Sequence, residues 1–214
     1  MNQVFSRLLF SLSVGIVSFS CSSPALLIEK TGTRNRVLVT DIDDTIFNRA
    51  RAEAMKESAS VLARLDGENY RVVYVTARPD LPFPFLNFTR SEAAEFLREN
   101  HYPAGPLFTG DLKNVLPGCQ HGSKIENLEK YVQYYGDLTV GVGDKYTDYI
   151  AYRSFGIPAF IIFDCQNDPD EKKFEGSGRP VVNENRAAWS VIYDRIKAGN
   201  FDPDLTLVRD CPAK

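Results

Sequence analysis

The chain of 214 residues has only two histidines, and it has no excess of basic residues. His101 and His121 have no cysteine or second histidine at metal-ligand spacing, which argues against a zinc site. Because 25 Lys and Arg stand against 28 Asp and Glu, the formal net charge is −3 and a nucleic-acid partner is not expected. Low-complexity segments and internal repeats are absent. The 43% hydrophobic content is sufficient for one substantial core.

The sequence also lacks an apolar run long enough to predict a membrane-spanning helix. Residues 1–7 carry positive charge, residues 8–20 are apolar with small side chains, and Cys21 follows directly. This order is typical of a secretory signal peptide, so we expect residues 1–20 to be a signal and the protein to be exported. The expected destinations are the periplasm, the medium, or a lipoprotein form in which lipidated Cys21 holds the protein at a membrane surface.

Cysteine usage does not decide the redox compartment. After the expected signal the chain contains Cys119, Cys165 and Cys211, an odd number unless Cys21 stays unmodified. An exported protein can pair two of them, but spacing alone does not show which two are joined. The sequence is compatible both with one disulfide and with three free thiols.

After the signal, short apolar strands alternate with helices. Strands are predicted over 36–41, 70–76, 106–109, 138–143 and 158–163, and helices over 50–65, 89–100, 123–135, 147–155 and 184–198. Strands separated by helices of this length indicate parallel βαβ units. We expect an α/β fold, a Rossmann-like three-layer αβα sandwich with a parallel sheet, over residues 34–200. Residues 164–183 are predicted as a loop and residues 201–214 as a C-terminal tail.

Two carboxylates follow the first strand directly. Arg36-Val37-Leu38-Val39-Thr40 continues into Asp41-Ile42-Asp43-Asp44-Thr45. Because residues two apart in an extended chain point the same way, Asp41 and Asp43 are expected to face one site. The pair suits a reaction in which one carboxylate attacks and the other moves a proton. An acidic loop at a strand end is the alternative, and Asp44 is expected to face solvent or support the site.

Other strands end in polar residues as well. The strand over 70–76 ends in Thr76, and the strand over 138–143 is followed by Asp144 and Asp148. Ligands of open α/β folds bind outside the carboxyl ends of the strands, where Asp41, Thr76 and Asp144 all fall. These residues are therefore expected to share one site.

A lysine is expected to complete this site. Lys124 follows Ser123, which forms a capping-box pattern with Glu126, so Lys124 is predicted in the first turn of its helix. In that position free backbone N–H groups would add to an anion site. Lys113 is the alternative lysine for the same role.

Together the four segments resemble, in order, the four motifs of the haloacid-dehalogenase-like (HAD) superfamily, most of whose members are Mg-dependent phosphatases. They are Asp41-Ile42-Asp43-Asp44-Thr45, the strand ending in Thr76, the helix with Lys124, and Asp144-Lys145-Tyr146-Thr147-Asp148. The resemblance implies a phosphomonoester phosphatase in which Asp41 attacks phosphorus and forms an aspartyl-phosphate. Asp43 would be the general acid/base. Thr76 and Lys124 would hold the non-bridging phosphoryl oxygens.

A magnesium ion is part of what the resemblance implies, since the charge of a phosphoryl group repels a carboxylate nucleophile. Its expected ligands are the Asp41 carboxylate, the Asp43 backbone carbonyl and Asp144, with Asp148 acting through a bound water.

The spacing between motifs leaves no room for a separate cap domain. The gap from Asp41 to Thr76 fits a small flap and one helix, and the gap from Thr76 to Lys124 fits one helix, one strand and loops. We therefore expect an open cleft, suited to large or surface-bound substrates. Residues 77–88, which contain three phenylalanines, are expected to form part of its rim.

Two closer families share the motif details. Val75-Thr76-Ala77-Arg78-Pro79, Gly105-Pro106-Leu107 and Gly141 to Tyr152 resemble the catalytic region of lipin-type phosphatidate phosphatases, which implies a lipid phosphate as substrate. Exported acid phosphatases also use Asp-Ile-Asp-Asp-Thr. The alternative to an enzyme is a module that binds phosphatidate with little or no turnover, and the presence of both Asp41 and Asp43 argues for activity. A dehalogenase is disfavoured because it needs neither Asp43 nor the metal set.

Overall fold

A computed structural model describes residues 36–79, 90–110, 120–164 and 170–211. The strands are β1 (Arg36–Thr40), β2 (Phe47–Asn48), β3 (Glu53–Ala54), β4 (Tyr70–Pro79), β5 (Leu107–Gly110), β6 (Val140–Gly143), β7 (Ala159–Asp164), β8 (Val181–Val182) and β9 (Leu205–Asp210). The helices are α1 (Ser58–Gly67), α2 (Arg90–Glu99), α3 (Gln120–Tyr135), α4 (Tyr146–Ser154) and α5 (Ala188–Ala198), with a 3-10 helix over Glu171–Ser177.

Seven strands form one sheet in the order β5-β4-β1-β6-β7-β9-β8, and all of its pairings are parallel. β1 lies between β4 and β6. The chain builds the sheet outwards from β1 to β4 and β5, and then returns to the other side of β1 with β6. This reversal of direction between β1 and β6 is where parallel α/β folds bind their ligands.

Neighbouring residues of β1 belong to two separate cores, because side chains alternate between the faces of a strand. Leu38 packs with Leu62 of α1 and Ile192 of α5 on one face of the sheet. Val39 packs with Leu128 of α3 on the other face, where Tyr152 of α4 also lies. The helices therefore cover both faces, and the predicted three-layer α/β fold with a parallel sheet is confirmed. Burial on both faces also explains why β1 is an almost continuous apolar run.

A two-stranded antiparallel flap follows β1, where the first predicted helix was expected to begin. β2 pairs with β3, and the flap is fixed to the body by Met55, whose backbone N–H donates to Ile46 O at 2.8 Å. Helix α1 therefore begins at Ser58 and not near residue 50, and it ends at Gly67, two residues after the predicted end. Within the described residues, the connections from β1 to β4 and from β4 to α3 hold the flap, α1, α2 and β5, and no separate cap domain.

The C-terminal segment differs from the sequence-based expectation. Residues 205–210, placed in a predicted tail, form β9, which lies inside the sheet between β7 and β8. Its register with β7 runs from Ala159↔Leu205 to Asp164↔Asp210. The described part of the predicted loop 164–183 likewise contains the 3-10 helix and β8. The domain therefore extends past residue 200 to include β9.

Several expectations fall on residues outside the described part of the chain. They concern the signal and Cys21, the phenylalanine-rich rim over 80–88, Lys113, Cys119 and Cys165. Cys211 is described, and it is disulfide-bonded. None of the helices in the described ranges is both long enough and apolar enough to cross a bilayer.

Candidate active site

The predicted site residues come from three adjacent strands and the helices next to them. Asp41 follows β1, Thr76 lies in β4, and Asp144 follows β6. Because the three strands are parallel neighbours, their carboxyl ends meet at one edge of the sheet. Lys124 comes from α3 and Asp148 from α4. This edge includes the reversal point between β1 and β6, where the topology favours a ligand.

The loop after β1 turns sharply. Asp41 still pairs with β6, because its N–H donates to Val142 O at 2.9 Å. Ile42 O then accepts from the N–H groups of Ile46 at 3.0 Å and Phe47 at 2.9 Å, which folds the chain back on itself. Asp44 stands at the turn with a positive φ of 54°, a conformation that Asp tolerates better than most residues. Its carboxylate pairs with Arg49 at the surface, so Asp44 supports the loop and the flap.

Two distant aromatic residues hold this loop in place. Trp189 Nε1 of α5 donates to Thr45 O at 2.8 Å, and the Tyr102 hydroxyl donates to Ile46 O at 2.9 Å. Both side chains are buried. A buried carbonyl that loses its only strong donor keeps its desolvation cost, so these bonds matter more than their small net gain.

We expect Trp189→Phe to lower the free energy of unfolding by about 1–3 kcal/mol, because Thr45 O is left buried without its donor. Turnover should fall as well, since the loop carries Asp43. Urea denaturation and initial rates measure the two effects. Tyr193→Phe is the matched control on α5, because it removes a hydrogen bond to the partly buried Glu68 far from the loop. Equal losses of stability and turnover in the two variants would contradict the role of Trp189 in holding the loop after β1.

Lys124 is the centre of the buried cluster. Its Nζ donates to Asp41 Oδ1 at 2.7 Å and also contacts Asp148 Oδ1. All three side chains are at least 95% buried. A buried ammonium needs ionised partners, and here two carboxylates supply them. Burial lowers the pKa of Lys124, but the charges of Asp148 and Asp41 outweigh it and raise that pKa. Lys124 is therefore fully charged at neutral pH.

Asp148 is held on both of its oxygens. Oδ1 faces Lys124, and Oδ2 accepts from the backbone N–H groups of Asp144 at 3.2 Å and Lys145 at 3.0 Å. Gly143 makes this possible, because a Cβ there would lie 2.4 Å from Asp148 Cβ. The close approach of the Asp148 side chain to the backbone at residue 143 explains the glycine at the end of β6. Asp148 therefore fixes both the turn after β6 and the position of Lys124.

Asp144 is the carboxylate with an open oxygen. Its Oδ2 accepts from Lys145 Nζ at 2.8 Å, whereas its Oδ1 is buried and accepts no hydrogen bond within the described structure. One carboxylate oxygen from each of Asp41, Asp144 and Asp148 lies within 4.8 Å of the others. Three negative charges and the two positive charges of Lys124 and Lys145 leave one net negative charge. A buried cluster of hard carboxylate oxygens, with this charge and with one Asp144 oxygen that accepts no hydrogen bond in the described structure, fits a divalent cation.

Burial makes two carboxyl groups of the site, Asp41 and Asp144, costly to ionise. It raises the pKa of Asp41 from its ordinary value to about 6, even though Lys124 pulls in the opposite direction. Burial likewise raises the pKa of Asp144 well above its usual range, despite the ion pair with Lys145. A carboxylate cluster that resists ionisation in this way is a common property of functional sites.

Asp43 lies beside this cluster and has its own partners. The guanidinium of Arg78 contacts both Asp43 oxygens, with Nε donating to Oδ2 and Nη2 to Oδ1. The Thr76 hydroxyl donates to Asp43 Oδ2 at 3.3 Å. Thr76 and Arg78 are two residues apart on β4, so both side chains reach the same side of the strand. The Asp43 carboxylate is not part of the group formed by Asp41, Asp144 and Asp148. Asp43 was expected to bind the metal through its backbone carbonyl.

One feature of the site differs from the prediction, and two of its residues were not predicted. Helix α3 begins at Gln120, so Lys124 is in the second turn and not the first, and Ser123 lies within the helix. Free N–H groups of a helix start therefore do not accompany Lys124. Arg78 and Lys145 were missed as site residues. Their positions next to Thr76 and Asp144 were the available signal.

Comparisons with known proteins identify the fold. No protein-family model matches the chain, and none of the curated proteins matches it. D,D-heptose 1,7-bisphosphate phosphatase from B. bronchiseptica, solved with magnesium and phosphate, is similar in structure, with a TM-score of 0.53 at 16% identity. The similarity covers 77% of this chain and 99% of that chain, so the two proteins share the α/β fold.

Two other solved structures are more distant. A protein assigned as an HAD-like phosphatase from Mesorhizobium loti has 19% identity and a TM-score of 0.45, over 59% of this chain and 72% of that chain. A short-chain dehydrogenase/reductase from Serratia marcescens has 9% identity and a TM-score of 0.45, over 83% and 97%. At these TM-scores neither similarity identifies a function.

Proposed function

We propose that this protein is a divalent-cation-dependent phosphomonoester phosphatase of the HAD superfamily. The observation that carries the proposal is the buried cluster at the carboxyl ends of β1 and β6. There Lys124 joins Asp41 to Asp148, and Asp144 keeps an oxygen without a hydrogen bond. The four motif segments of the sequence converge on this one place. The shared fold with a phosphatase solved with magnesium and phosphate adds support.

Asp41 is the nucleophile in this proposal. Its Oδ1 is held by Lys124, which leaves Oδ2 to attack phosphorus in line and displace the alkoxide. The product of this step is an aspartyl-phosphate on Asp41. Lys124 offsets the charge on the attacking carboxylate and on a bound phosphoryl group. The electrostatic arrangement is built before substrate arrives, which is the condition under which charged groups contribute most to catalysis.

Asp43 is the general acid/base. It protonates the departing alkoxide and then accepts a proton from the water that hydrolyses the aspartyl-phosphate, a contribution of about 10²–10⁴-fold. Its position on the same loop as Asp41, two residues on, brings it to the same edge of the sheet. The Thr76 hydroxyl, which donates to Asp43 in the described structure, would turn to a phosphoryl oxygen when substrate is bound.

Mg²⁺ is the cation that fits the donor set. Asp41 and Asp144 supply carboxylate oxygens, Asp148 lies beside them and would act through a bound water, and the Asp43 backbone carbonyl is the further expected ligand. When bound, Mg²⁺ would neutralise phosphoryl charge and orient the group for attack. The open Asp144 oxygen is the specific feature of this chain that calls for a cation.

We expect Mg²⁺ to raise the melting temperature at about pH 7.5 and to have little effect near pH 4.5. A ligand at 100 times its Kd adds about 2.7 kcal/mol, or roughly 5 °C or more for a domain of this size. The effect needs ionised carboxylates, and the pKa of Asp41 is raised to about 6. Without metal, the raised pKa values of Asp41 and Asp144 mean that the folded state takes up protons first, so these groups favour folding as pH falls.

Asp144→Asn should abolish the Mg²⁺-dependent rise in melting temperature, and Asp44→Asn is the control because Asp44 pairs with Arg49 at the surface. Differential scanning fluorimetry with and without EDTA measures both. An unchanged Mg²⁺ effect in the Asp144 variant would contradict the assigned metal site.

Substrate class is the next part of the proposal. The connections that hold caps in related phosphatases contain only the flap, α1, α2 and β5 in the described residues, which favours an open cleft. The resemblance to lipin-type phosphatases suggests a lipid phosphate, and the exported acid phosphatases suggest broad specificity. The proposal is therefore a phosphomonoesterase that accepts large or surface-bound substrates.

Export is proposed as well, with residues 1–20 as the signal and Cys21 as the residue that a lipoprotein form would modify. The disulfide at Cys211 supports it, because disulfides persist mainly in oxidising compartments.

A substrate panel tests the proposed function. The purified protein is assayed for phosphate release from phosphatidate vesicles, nucleotides, sugar phosphates and a phosphoprotein, with Mg²⁺ and with EDTA. We expect Mg²⁺-dependent release from at least one class. Binding to phosphatidate vesicles without turnover of any substrate would support the non-enzymatic alternative and contradict the phosphatase.

A further inference from the structure

Arg78 is paired with the Asp43 carboxylate, which must be accessible to substrate in the proposed reaction. One guanidinium donates to both oxygens of Asp43, and the Thr76 hydroxyl donates to the second oxygen as well. The side chains of Arg78 and Asp43 are only 19% and 12% exposed. A bidentate pair of a guanidinium and a carboxylate with little access to water is a strong, well-oriented contact.

This pairing is incompatible with the proposed chemistry as it stands. A carboxyl group that donates a proton to a leaving oxygen must turn one oxygen towards that atom. In the described structure both Asp43 oxygens face Arg78. The two side chains must therefore separate when a phosphate ester is bound, and the Arg78 donors that held Asp43 can then bind another anion.

A phosphoryl group is the partner that fits. Guanidinium binds phosphate oxygens with the same fork geometry that it uses for a carboxylate. Arg78 leaves β4 on the same side as Thr76, and its guanidinium carbon lies 6.0 Å from the centre of the Phe47 ring in the flap. The ring offers the guanidinium a flat surface to lie against while its donors change partner.

We propose that Arg78 is a substrate-binding residue that exchanges the Asp43 carboxylate for the phosphoryl group. The inference rests on the proposed phosphatase function. Before substrate binds, Arg78 holds Asp43 in place and neutralises it. The incoming phosphoryl group competes for the guanidinium, and the exchange releases Asp43 beside the leaving group. The acid/base residue thus becomes available only when there is a phosphoryl group to act on.

Binding of inorganic phosphate tests the exchange without any need for turnover. Isothermal titration calorimetry with MgCl₂ present compares the wild type with Arg78→Ala, Asp43→Asn, the double variant and Asp44→Asn. We expect Arg78→Ala to weaken phosphate binding by about 10- to 100-fold, the range for hydrogen bonds to charged groups. Asp43→Asn should tighten it, because Arg78 loses its competing partner.

The double variant separates the exchange from simple charge removal. Asp43→Asn also removes a negative charge, and Asp44→Asn removes one nearby that pairs with Arg49 instead. When Arg78 is present, we expect Asp43→Asn to tighten phosphate binding more than Asp44→Asn does. In the Arg78→Ala background, Asp43→Asn should tighten phosphate binding no more than Asp44→Asn does. This dependence on Arg78 is the coupling that a double-mutant cycle measures.

Several results would overturn the proposal. Unchanged phosphate affinity in Arg78→Ala would do so, as would equal tightening by Asp43→Asn with and without Arg78. Arg78→Lys keeps the charge without the fork and should bind phosphate with intermediate affinity; it provides a folded comparison if the alanine variant is unstable. If the wild type hydrolyses esters but binds phosphate without help from Arg78, the exchange fails and the phosphatase stands. If the cycle behaves as expected without ester hydrolysis, only the proposed function fails.

Discussion

Asp41→Asn is expected to reduce phosphate-ester hydrolysis by roughly 10⁴-fold or more while leaving the protein folded, because it removes the nucleophile and one ligand of the proposed cation. The geometry supports a large effect. Asp41 is buried, its Oδ1 is oriented by Lys124, and it stands at the end of the central strand β1. An amide in its place can still accept a hydrogen bond from Lys124, but it cannot attack phosphorus.

The stability of this variant is part of the same prediction. Burial raises the pKa of Asp41 to about 6, so at neutral pH the folded protein holds an ionised carboxylate that the unfolded chain would ionise more easily. Replacing it by Asn removes that cost, and the metal-free melting temperature should not fall. Asp44→Asn is the control for charge removal on the same loop and should lose far less activity, because Asp44 pairs with Arg49 at the surface. A variant at position 41 that retains about 1% of the wild-type rate or more would contradict the nucleophile assignment.

Lys124→Met is expected to have the second largest effect, and it should affect both stability and activity. The substitution leaves Asp41 and Asp148 without their shared cation in a site that is almost fully buried. Removing one partner of a buried ion pair costs about 3–5 kcal/mol of unfolding free energy. Hydrolysis should also fall, because the phosphoryl group loses the cation that faces the nucleophile.

The pH dependence of Lys124→Met has a definite sign. Without the lysine, the pKa of Asp41, which burial already raises, rises further in the folded state, while in the unfolded state it stays at its ordinary value. The deficit is therefore largest at neutral pH and shrinks as pH falls and Asp41 is protonated. Urea denaturation at several pH values measures it. Lys145→Met, at the partly exposed pair with Asp144, should lose less. Two results would contradict the central role of Lys124. One is a loss of unfolding free energy in Lys124→Met that does not depend on pH, and the other is a loss smaller than that of Lys145→Met.

The central strands could be predicted from the sequence because their signal is local. β1 is apolar on both faces, and its boundary with the acidic residues is sharp. The same holds for β6 before Asp144. Once the parallel order is assumed, Asp41, Thr76 and Asp144 must meet at one edge of the sheet. The prediction of one shared site thus depends only on strand ends.

The first helix was predicted too early because helix propensity was overridden. Residues 50–57 include several good helix formers, yet they form the second half of the flap. Positive φ angles at Ala52 and Glu57 turn the chain there. The flap is stabilised by contacts with the loop after β1, which no local pattern reveals.

The sequence also failed to predict residues whose structure or role depends on partners far away in the chain. Arg78 is recognised only through Asp43, which lies 35 residues earlier in the chain. β9 has six residues and is buried because it pairs with β7 and β8. A short segment of this kind gains its structure from the sheet that it joins, so its sequence alone resembled a tail.

The covalent intermediate on Asp41 is the most direct test of the proposed chemistry. The Asp43→Asn protein is mixed with an aryl phosphate, whose leaving group needs no proton, then quenched, reduced with borohydride and analysed by tandem mass spectrometry. Loss of the base slows hydrolysis of the aspartyl-phosphate, so we expect the intermediate to accumulate and residue 41 to be recovered as homoserine. The Asp41→Asn/Asp43→Asn protein should show no such product. Release of aryl product with no modification at residue 41, or with the modification on another residue, would contradict Asp41 as the nucleophile.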